Sequence, residues 1–344
     1  MPVYVNGRFR SHKITGQQRY AHEITRRLNL PVFEPANKLR GWRGHAWEQT
    51  VLPIRSLRGL LWSPCGAGPI MSSSHIVTIH DLFTLDSPEW FHPTFVKAYR
   101  ILLTALSKTA THLIAVSEFT KSRIVQRLSV PSARITVIHN GVDFQTFYHS
   151  EEQTVRARAE LALPPGPYLL CLGSLEPRKN LGRLLAAWSE VLPSLPPDLS
   201  LVVAGAADSS VFNSVNLNAV PARVHFTGYV PEQFLAGLYS GALGFLYPSL
   251  GEGFGLPPLE AMACGVPVLT SNITSLPEVC GRAAIYVNPN DTNSLAAGIK
   301  LLSSDPSLRE RLRVLSRQQA STFTWERSAQ QTQSLLSRFA SVGN

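Results

Sequence analysis

Short β-branched or apolar runs alternate with longer stretches of helical periodicity along almost the whole chain, which confines it to a doubly wound α/β architecture. Strands are expected at residues 3–5, 76–79, 113–116 and 135–138 in the first half, and at 168–172, 199–204, 224–226, 243–247 and 267–269 in the second. Helices are expected over 15–29, 93–109, 118–128, 180–192, 231–241, 258–264, 292–303 and 306–318. A charged, proline-containing section from Ser150 to Pro167 has the character of a linker with a short helix, so a domain boundary falls there. Each half then builds its own sheet. Ligands of such sheets bind beyond the carboxyl ends of the strands, and two facing sheets put the site in the cleft between them.

The stretch Gly251-Glu252-Gly253-Phe254-Gly255-Leu256-Pro257-Pro258-Leu259-Glu260 follows one of these strands. Its glycines permit positive φ and let backbone amides approach an anion closely. Pro257 and Pro258 stop the loop, and Pro258 suits the first turn of the apolar run that follows. Unpaired amides and the positive helix end then favour a phosphate or diphosphate. Glu252 and Glu260 are poor phosphate ligands but good acceptors for sugar hydroxyls beside that anion. Taken alone, the loop reads equally as a helix N-terminus whose glutamates complement the dipole.

Other strand-end loops also carry polar groups. Strand 168–172 runs into Gly173-Ser174-Leu175-Glu176-Pro177-Arg178-Lys179-Asn180-Leu181, where two adjacent cations can neutralise a departing diphosphate or simply form an exposed basic turn. Strand 76–79 leads into His80-Asp81-Leu82, which alone is a turn cap with a structural histidine. Strand 135–138 leads into His139-Asn140-Gly141-Val142-Asp143, a turn signal. Ile14 to Tyr20 resembles a loop entering a helix, with Gly16 able to let backbone approach a ligand.

With 344 residues, 44% hydrophobic and 16% charged, the chain suits two globular domains with well-buried cores. No apolar signal core follows Met1 and no segment has the length of a membrane span, so neither export nor spanning is expected. The scattered Cys65, Cys171, Cys264 and Cys280 suit buried reduced thiols in a reducing compartment. Residues 1–150 carry 18 Lys/Arg against 8 Asp/Glu, a balance of +10, whereas the remainder carries 14 against 15. A basic half suits nucleic acid, anionic lipid headgroups or a phosphorylated acceptor, and equally a merely solvated surface. Residues 92–103 mix aromatic, basic and aliphatic side chains as an interfacial helix does, and core packing explains the apolar ones equally well.

Taken in order, these segments resemble the retaining GT-B glycosyltransferases of family four, particularly the bacterial mannosyltransferase-like members of the glycosyl transferases of group 1. The resemblance rests on Ile14 to Tyr20, His80 to Leu82, Ala115 to Thr120, Val137 to Asp143, Gly173 to Leu181, Gly228 to Pro231 and Glu252 to Val268. Phe323 to Ala329 also looks like the family's final helix, which crosses back onto the N-terminal domain. It implies two facing Rossmann-like domains: residues 1–155 bind the acceptor, residues 156–322 bind the nucleotide sugar, and residues 323–344 pack back on the first.

The resemblance also implies roles. Glu260 binds ribose hydroxyls, and Glu252 the hydroxyls of the transferred sugar. The amides of Phe254, Gly255 and Leu256 hold the sugar and distal phosphate, Arg178 and Lys179 the diphosphate, and the backbone near Tyr229 and Val230 reads the base. Gly16 lies near the phosphates and His80 near the sugar. Many relatives carry arginine where this chain has Ser174, so Arg178 takes over that charge. Asp81 is a second choice for the acceptor's base, behind a donor phosphate oxygen. The absence of an Asp-x-Asp motif implies that no metal and no cofactor is needed.

The implied reaction moves a hexose, first mannose from GDP-mannose and otherwise a UDP- or dTDP-linked sugar, to a glycan or lipid-linked oligosaccharide in polysaccharide biosynthesis. The expected setting is cytoplasmic, with peripheral contact on an anionic membrane. Alternatives are a sugar phosphorylase or epimerase of the same fold, or a non-catalytic protein binding nucleotide sugars or other anions.

Overall fold

The computed structural model describes residues 1–12, 14–35, 39, 41–72, 74–206 and 220–342. It contains two six-stranded sheets, each wholly parallel. The chain separates into two units. Met1–Pro88, Pro93–Gly141 and the segment from Phe323 form the first; Glu89–His92 and Val142–Thr322 form the second.

The first unit runs β1 (Val3–Asn6), α1 (Gly16–Leu28), β2 (Val32–Phe33), α2 (Gly41–Arg55), β3 (Leu60–Ser63), β4 (His75–Ile79), α3 (Phe83–Asp86), α4 (Pro93–Thr109), β5 (His112–Ala115), α5 (Glu118–Leu128) and β6 (Ile135–Val137). Its sheet order is β2-β1-β3-β4-β5-β6. Strands covered on both faces need unbroken apolar runs, and every residue of β3, β4 and β5 is buried. The α4 segment turns its apolar face inward: Val96, Leu102, Leu103 and Leu106 are buried, while Lys97, Arg100 and Ile101 stay outside.

The second unit runs α6 (Glu151–Glu160), β7 (Tyr168–Leu172), α7 (Leu181–Val191), β8 (Ser200–Ala204), β9 (Val224–Gly228), α8 (Glu232–Ser240), β10 (Gly244–Tyr247), α9 (Leu256–Ala263), β11 (Val268–Ser271), α10 (Leu276–Cys280), β12 (Ala284–Val287), α11 (Thr292–Ser304) and α12 (Pro306–Ala320). Its order is β12-β11-β10-β7-β8-β9, so β7 and β10 are neighbours at the centre. Side chains alternate across β10. Leu246 joins Trp188 of α7 and Ile299 and Leu302 of α11 in one core, whereas Phe245 stacks against Tyr247 and packs edge-on to Tyr239 of α8.

The last helix, α13 (Trp325–Val342), belongs to the first unit. Trp325 packs near Tyr20 of α1, and Arg27 of α1 pairs with Glu326 at 2.7 Å. The turn His139-Asn140-Gly141 receives its start: Ser328 Oγ donates to His139 O at 2.5 Å, and Phe323 packs edge-on to the His139 ring.

Three differences from the sequence expectation have physical causes. The first segment of unit one ends at Gly141 rather than at 155, because α6 packs on α8: Thr154 Oγ1 donates to Gly237 O at 3.4 Å, and Ser150 N donates to Ser240 Oγ at 3.4 Å. Strands β2, β3 and β12 were not expected; β2 has two residues, and β3 (Leu-Leu-Trp-Ser) has no β-branched residue. Helix α9 starts at Leu256 rather than 258, since both prolines fit within a first turn that needs no intrahelical donor.

The four cysteines are free, with Cys171, Cys264 and Cys280 buried and Cys65 half-buried. Among the described residues no helix is long and apolar enough to cross a membrane, and no group of three or more His, Cys, Asp or Glu is placed to hold a metal ion.

Candidate active site

The carboxyl ends of β7 and β10 lie side by side, so their following loops meet, and the polar groups of both converge there. Backbone bonds join the loops: Leu250 N donates to Arg178 O at 2.7 Å, and Ser249 Oγ to the same carbonyl at 2.9 Å. Asn180, in the left-handed conformation with φ +61°, caps the turn before α7. Its Nδ2 clips the turn to two further loops, donating to Pro248 O at 3.1 Å and Pro289 O at 2.7 Å.

Glu252 sits at the centre, 7% exposed. Its Oε1 accepts from Lys179 Nζ at 2.6 Å, Tyr247 OH at 2.9 Å and Ser249 Oγ at 2.8 Å, while Oε2 lies 2.9 Å from Arg178 Nη1. Lys179 Nζ also donates to Tyr247 OH at 2.5 Å and stands 4.8 Å from that ring's centroid. A second carboxylate closes the network. Glu176 Oε1 lies 2.7 Å from Arg178 Nη2 and 3.9 Å from Lys179, and it accepts from Ser174 Oγ at 3.0 Å. Its Oε2 is buried with no hydrogen-bond partner among the described residues.

The charges account for the protonation states. Burial by itself raises the Glu252 carboxyl, but Arg178 and Lys179 outweigh it and pull it down to about 2. Burial and the Arg178 charge push Lys179 below the usual lysine range, against the pull of Glu252 and Glu176. Tyr247 is pushed well above the usual phenol range by burial and then by Glu252, so it keeps its proton and donates it to that carboxylate.

The glycine-rich segment continues the same loop. Ser275 Oγ donates to Glu252 O at 2.8 Å and to Phe254 O at 2.7 Å, which fixes the backbone on both sides of Gly253. Gly255 stands at φ +116°, a conformation that excludes ordinary side chains, and leads directly into α9. Pro257 and Pro258 lack N–H groups, so the amides at this positive helix end are those of Phe254, Gly255 and Leu256. Glu260, on α9 and 6% exposed, accepts from Tyr239 OH at 3.0 Å through Oε2. Beyond β9, Tyr229 is 75% exposed and Val230 is buried.

The structure thus gathers Glu252, Arg178, Lys179 and Ser174 into one buried network that leads into Phe254, Gly255 and Leu256. Arg178 and Lys179 do not form the exposed basic turn that the sequence also allowed: their side chains are largely buried and two carboxylates balance them, because burying like charges together without partners is too costly. Sequence reasoning assigned no task to Glu176, Asn180, Tyr247, Ser249 or Ser275. The available signal was position, since Tyr247 ends a buried strand and the other four lie in loops that follow strands.

In the first unit, Gly16 opens α1 and is exposed. His80 is 7% exposed and donates from Nε2 to Pro64 O at 2.7 Å, with Tyr20 packed edge-on to its ring. Burial lowers it to about 4 against the effect of that bond, so the ring is neutral. Asp81 Oδ1 accepts from Phe83 N at 3.2 Å, an Asx turn at the entry to α3, whose N-cap position is Leu82.

Two wholly parallel α/β units with polar loops beyond their strand ends match the architecture of the GT-B glycosyltransferases. The chain superposes on a sucrose-phosphate synthase from Thermosynechococcus elongatus with a TM-score of 0.76 at 20% identity, covering 99% of this chain and 100% of that one. It matches an Anabaena protein, HepE, solved with UDP-glucose, equally well (TM-score 0.76, 19% identity, 98% and 99% covered). Residues 155–319 match the family described as glycosyl transferases group 1, and residues 60–146 match glycosyltransferase family 4.

O-antigen chain mannosyltransferase B of Escherichia coli is 33% identical over 260 residues, 75% of this chain and 68% of that protein. O-antigen chain mannosyltransferase RfbU of Salmonella typhimurium is 31% identical over 237 residues, 67% and 61%. The serotype-specific mannosyltransferase WbdA of Escherichia coli is 30% identical over 263 residues, 74% of this chain but only 32% of that protein's length. The chain belongs to the glycosyl transferases of group 1, within glycosyltransferase family 4.

Proposed function

We propose that the protein transfers mannose from GDP-mannose to a growing surface polysaccharide, retaining the anomeric configuration and using no metal ion. The observation that carries this reading is the buried Glu252, Lys179 and Arg178 network at the start of the glycine-rich helix end. Its two cations hold carboxylate oxygens at 2.6 to 2.9 Å, the geometry they would give phosphate oxygens. The mannosyl and polysaccharide parts follow the names of the relatives.

Breaking the bond between the anomeric carbon and the phosphate oxygen places positive charge on the sugar and negative charge on the diphosphate. Lys179, Arg178 and the amides of Gly255 and Leu256 are fixed donors for that developing anion, and such a donor typically contributes about 3 kcal/mol. Because Glu252 and Glu176 balance the two cations, the helix end supplies much of the field that the diphosphate meets. Glu252 orients hydroxyls of the transferred sugar and Glu260 those of the ribose. The acceptor hydroxyl attacks the anomeric carbon on the face the diphosphate leaves, and its proton passes to a phosphate oxygen of that leaving group.

The first unit takes the acceptor and touches an anionic bilayer. The surface suited to this is α2 and the turn after it, where Trp42, Ile54 and Leu57 are 69 to 75% exposed beside exposed Arg43, Arg55 and Arg58.

A thermal-shift panel of GDP-mannose, UDP-glucose and dTDP- and ADP-sugars tests the donor first, followed by transfer of labelled mannose. GDP-mannose should give the largest shift, and activity should survive a chelator. No shift with any nucleotide sugar refutes the donor site, and a strict manganese requirement refutes the metal-free mechanism. Cosedimentation with phosphatidylglycerol vesicles should be weakened by Trp42→Ala together with Ile54→Ala, and unchanged binding excludes that face.

A further inference from the structure

Unit one holds a cavity of about 100 Å³, well beyond the roughly 15 Å³ that one water needs. Its walls include Asn6, Arg8, Gln17, Gln18, Glu48 and Tyr99, drawn from the carboxyl end of β1, the start of α1, and the helices α2 and α4. A parallel sheet binds its ligands at that edge.

The floor of the cavity is charged but balanced. Arg8 Nη1 meets Glu48 Oε2 at 2.6 Å, and Asn6 Nδ2 donates to Glu48 Oε1 at 2.8 Å. Glu48 is 1% exposed, and its carboxyl lies below the usual range: burial works against this, and His45, Arg8 and Asn6 outweigh burial. A bound anion would displace Glu48 from Arg8, and a bound cation would do the reverse, so the pair selects an uncharged polar ligand.

Wall groups with unused hydrogen-bonding capacity include Arg8 Nε, buried without a partner among the described residues, and two uncharged side chains. The Gln17 carboxamide and the Tyr99 hydroxyl make no hydrogen bond among the described residues. Each both donates and accepts, which is what neighbouring hydroxyls of a pyranose require.

We infer that this cavity is a subsite for one uncharged sugar ring of the acceptor glycan, read by Gln17 and Tyr99 above the Arg8–Glu48 pair. The identification of the ring as the acceptor's rests on the proposed transferase reading. It separates the acceptor ring from the donor ligands of the second unit and makes the first unit selective for a glycan end rather than for an apolar tail.

Saturation-transfer NMR on the whole protein with methyl α-D-mannopyranoside tests binding, and steady-state kinetics with a mannose-terminated acceptor tests use. Gln17→Ala and Tyr99→Phe, which keeps the ring stacked on Phe95, should each weaken the NMR signal and raise the acceptor KM about tenfold, the worth of one lost hydrogen bond. The donor KM should stay within about twofold, and Glu252→Gln should leave the NMR signal in place. The subsite is overturned if both variants keep the signal, if the signal disappears only in Glu252→Gln, or if transfer proceeds with an unmoved acceptor KM. A Gln17-dependent signal without transfer from any nucleotide sugar would instead refute the transferase reading and support the subsite.

Discussion

Lys179 and Glu252 are held 2.6 Å apart by loops that leave two neighbouring strands, and the Tyr247 hydroxyl bridges them, accepting from one and donating to the other. The pair is a joint as well as a pair of ligands. It ties the loop after β7 to the loop after β10, so changes at either residue act on loop position and on charge.

Glu252→Gln keeps the shape of the side chain and removes the charge that balances Arg178 and Lys179. Breaking a buried pair from one side costs roughly 3–5 kcal/mol. The variant should melt several degrees lower and should lose at least about a hundredfold in transfer, because the sugar also loses its orienting carboxylate. Calorimetry with the labelled-sugar assay checks both, and near-normal turnover would remove Glu252 from the proposed role.

Lys179→Met keeps the length of the side chain against the Tyr247 ring and deletes one donor aimed at the leaving group. The expected loss is about a hundredfold or more in kcat, near 3 kcal/mol of transition-state stabilisation. A rise in donor KM with kcat unchanged would make Lys179 a ground-state ligand only.

Acid should unfold the protein in two windows. His75 and His80 are buried and lowered from 6.5 to about 4, so the unfolded chain takes up their protons first and stability falls as pH drops from 6.5 towards 4. Each contributes on the order of 3 kcal/mol across that range. Glu252 goes from 4.5 down to about 2 on folding, so its contribution is present above pH 4.5 and is lost as pH falls through 2. Denaturant titrations at stepped pH should show the first loss reduced in His80→Gln, and an unchanged slope between pH 6.5 and 4 would mean that the ring is protonated in the fold.

Most of the second unit was legible in the sequence because its parallel strands are buried on both faces and read as apolar runs, as in Tyr168–Leu172. The first unit hid more. Its α2 contains Gly41, Gly44 and Pro53, which suppress a helical signal, and β3 lacks β-branched residues. At the site, residue types pointed to Glu252, Arg178 and Lys179, since charged groups beside strand ends stand out. Their mutual pairing was not legible, because it depends on β7 and β10 being neighbours, although residues 173–243 separate them in sequence. Tyr247 and Ser249 became part of the site for the same reason.

Gly141 shows how a motif with a suggestive sequence can serve the scaffold. A Cβ there would lie 2.2 Å from Trp325 N and 2.3 Å from Thr324 C, so backbone would have to move. Gly141→Ala should therefore push the start of α13 off the turn after β6 and loosen the Ser328 bond to His139. A loss of about 1–3 kcal/mol or more is expected from overpacking against backbone. Limited proteolysis should cut between Thr322 and Trp325 far faster than in the wild-type protein, with donor-induced thermal shifts preserved in the second unit. Equal cleavage rates would show that α13 is held by its other contacts, Arg27 with Glu326 and Trp325 with Tyr20, and that the turn contributes little.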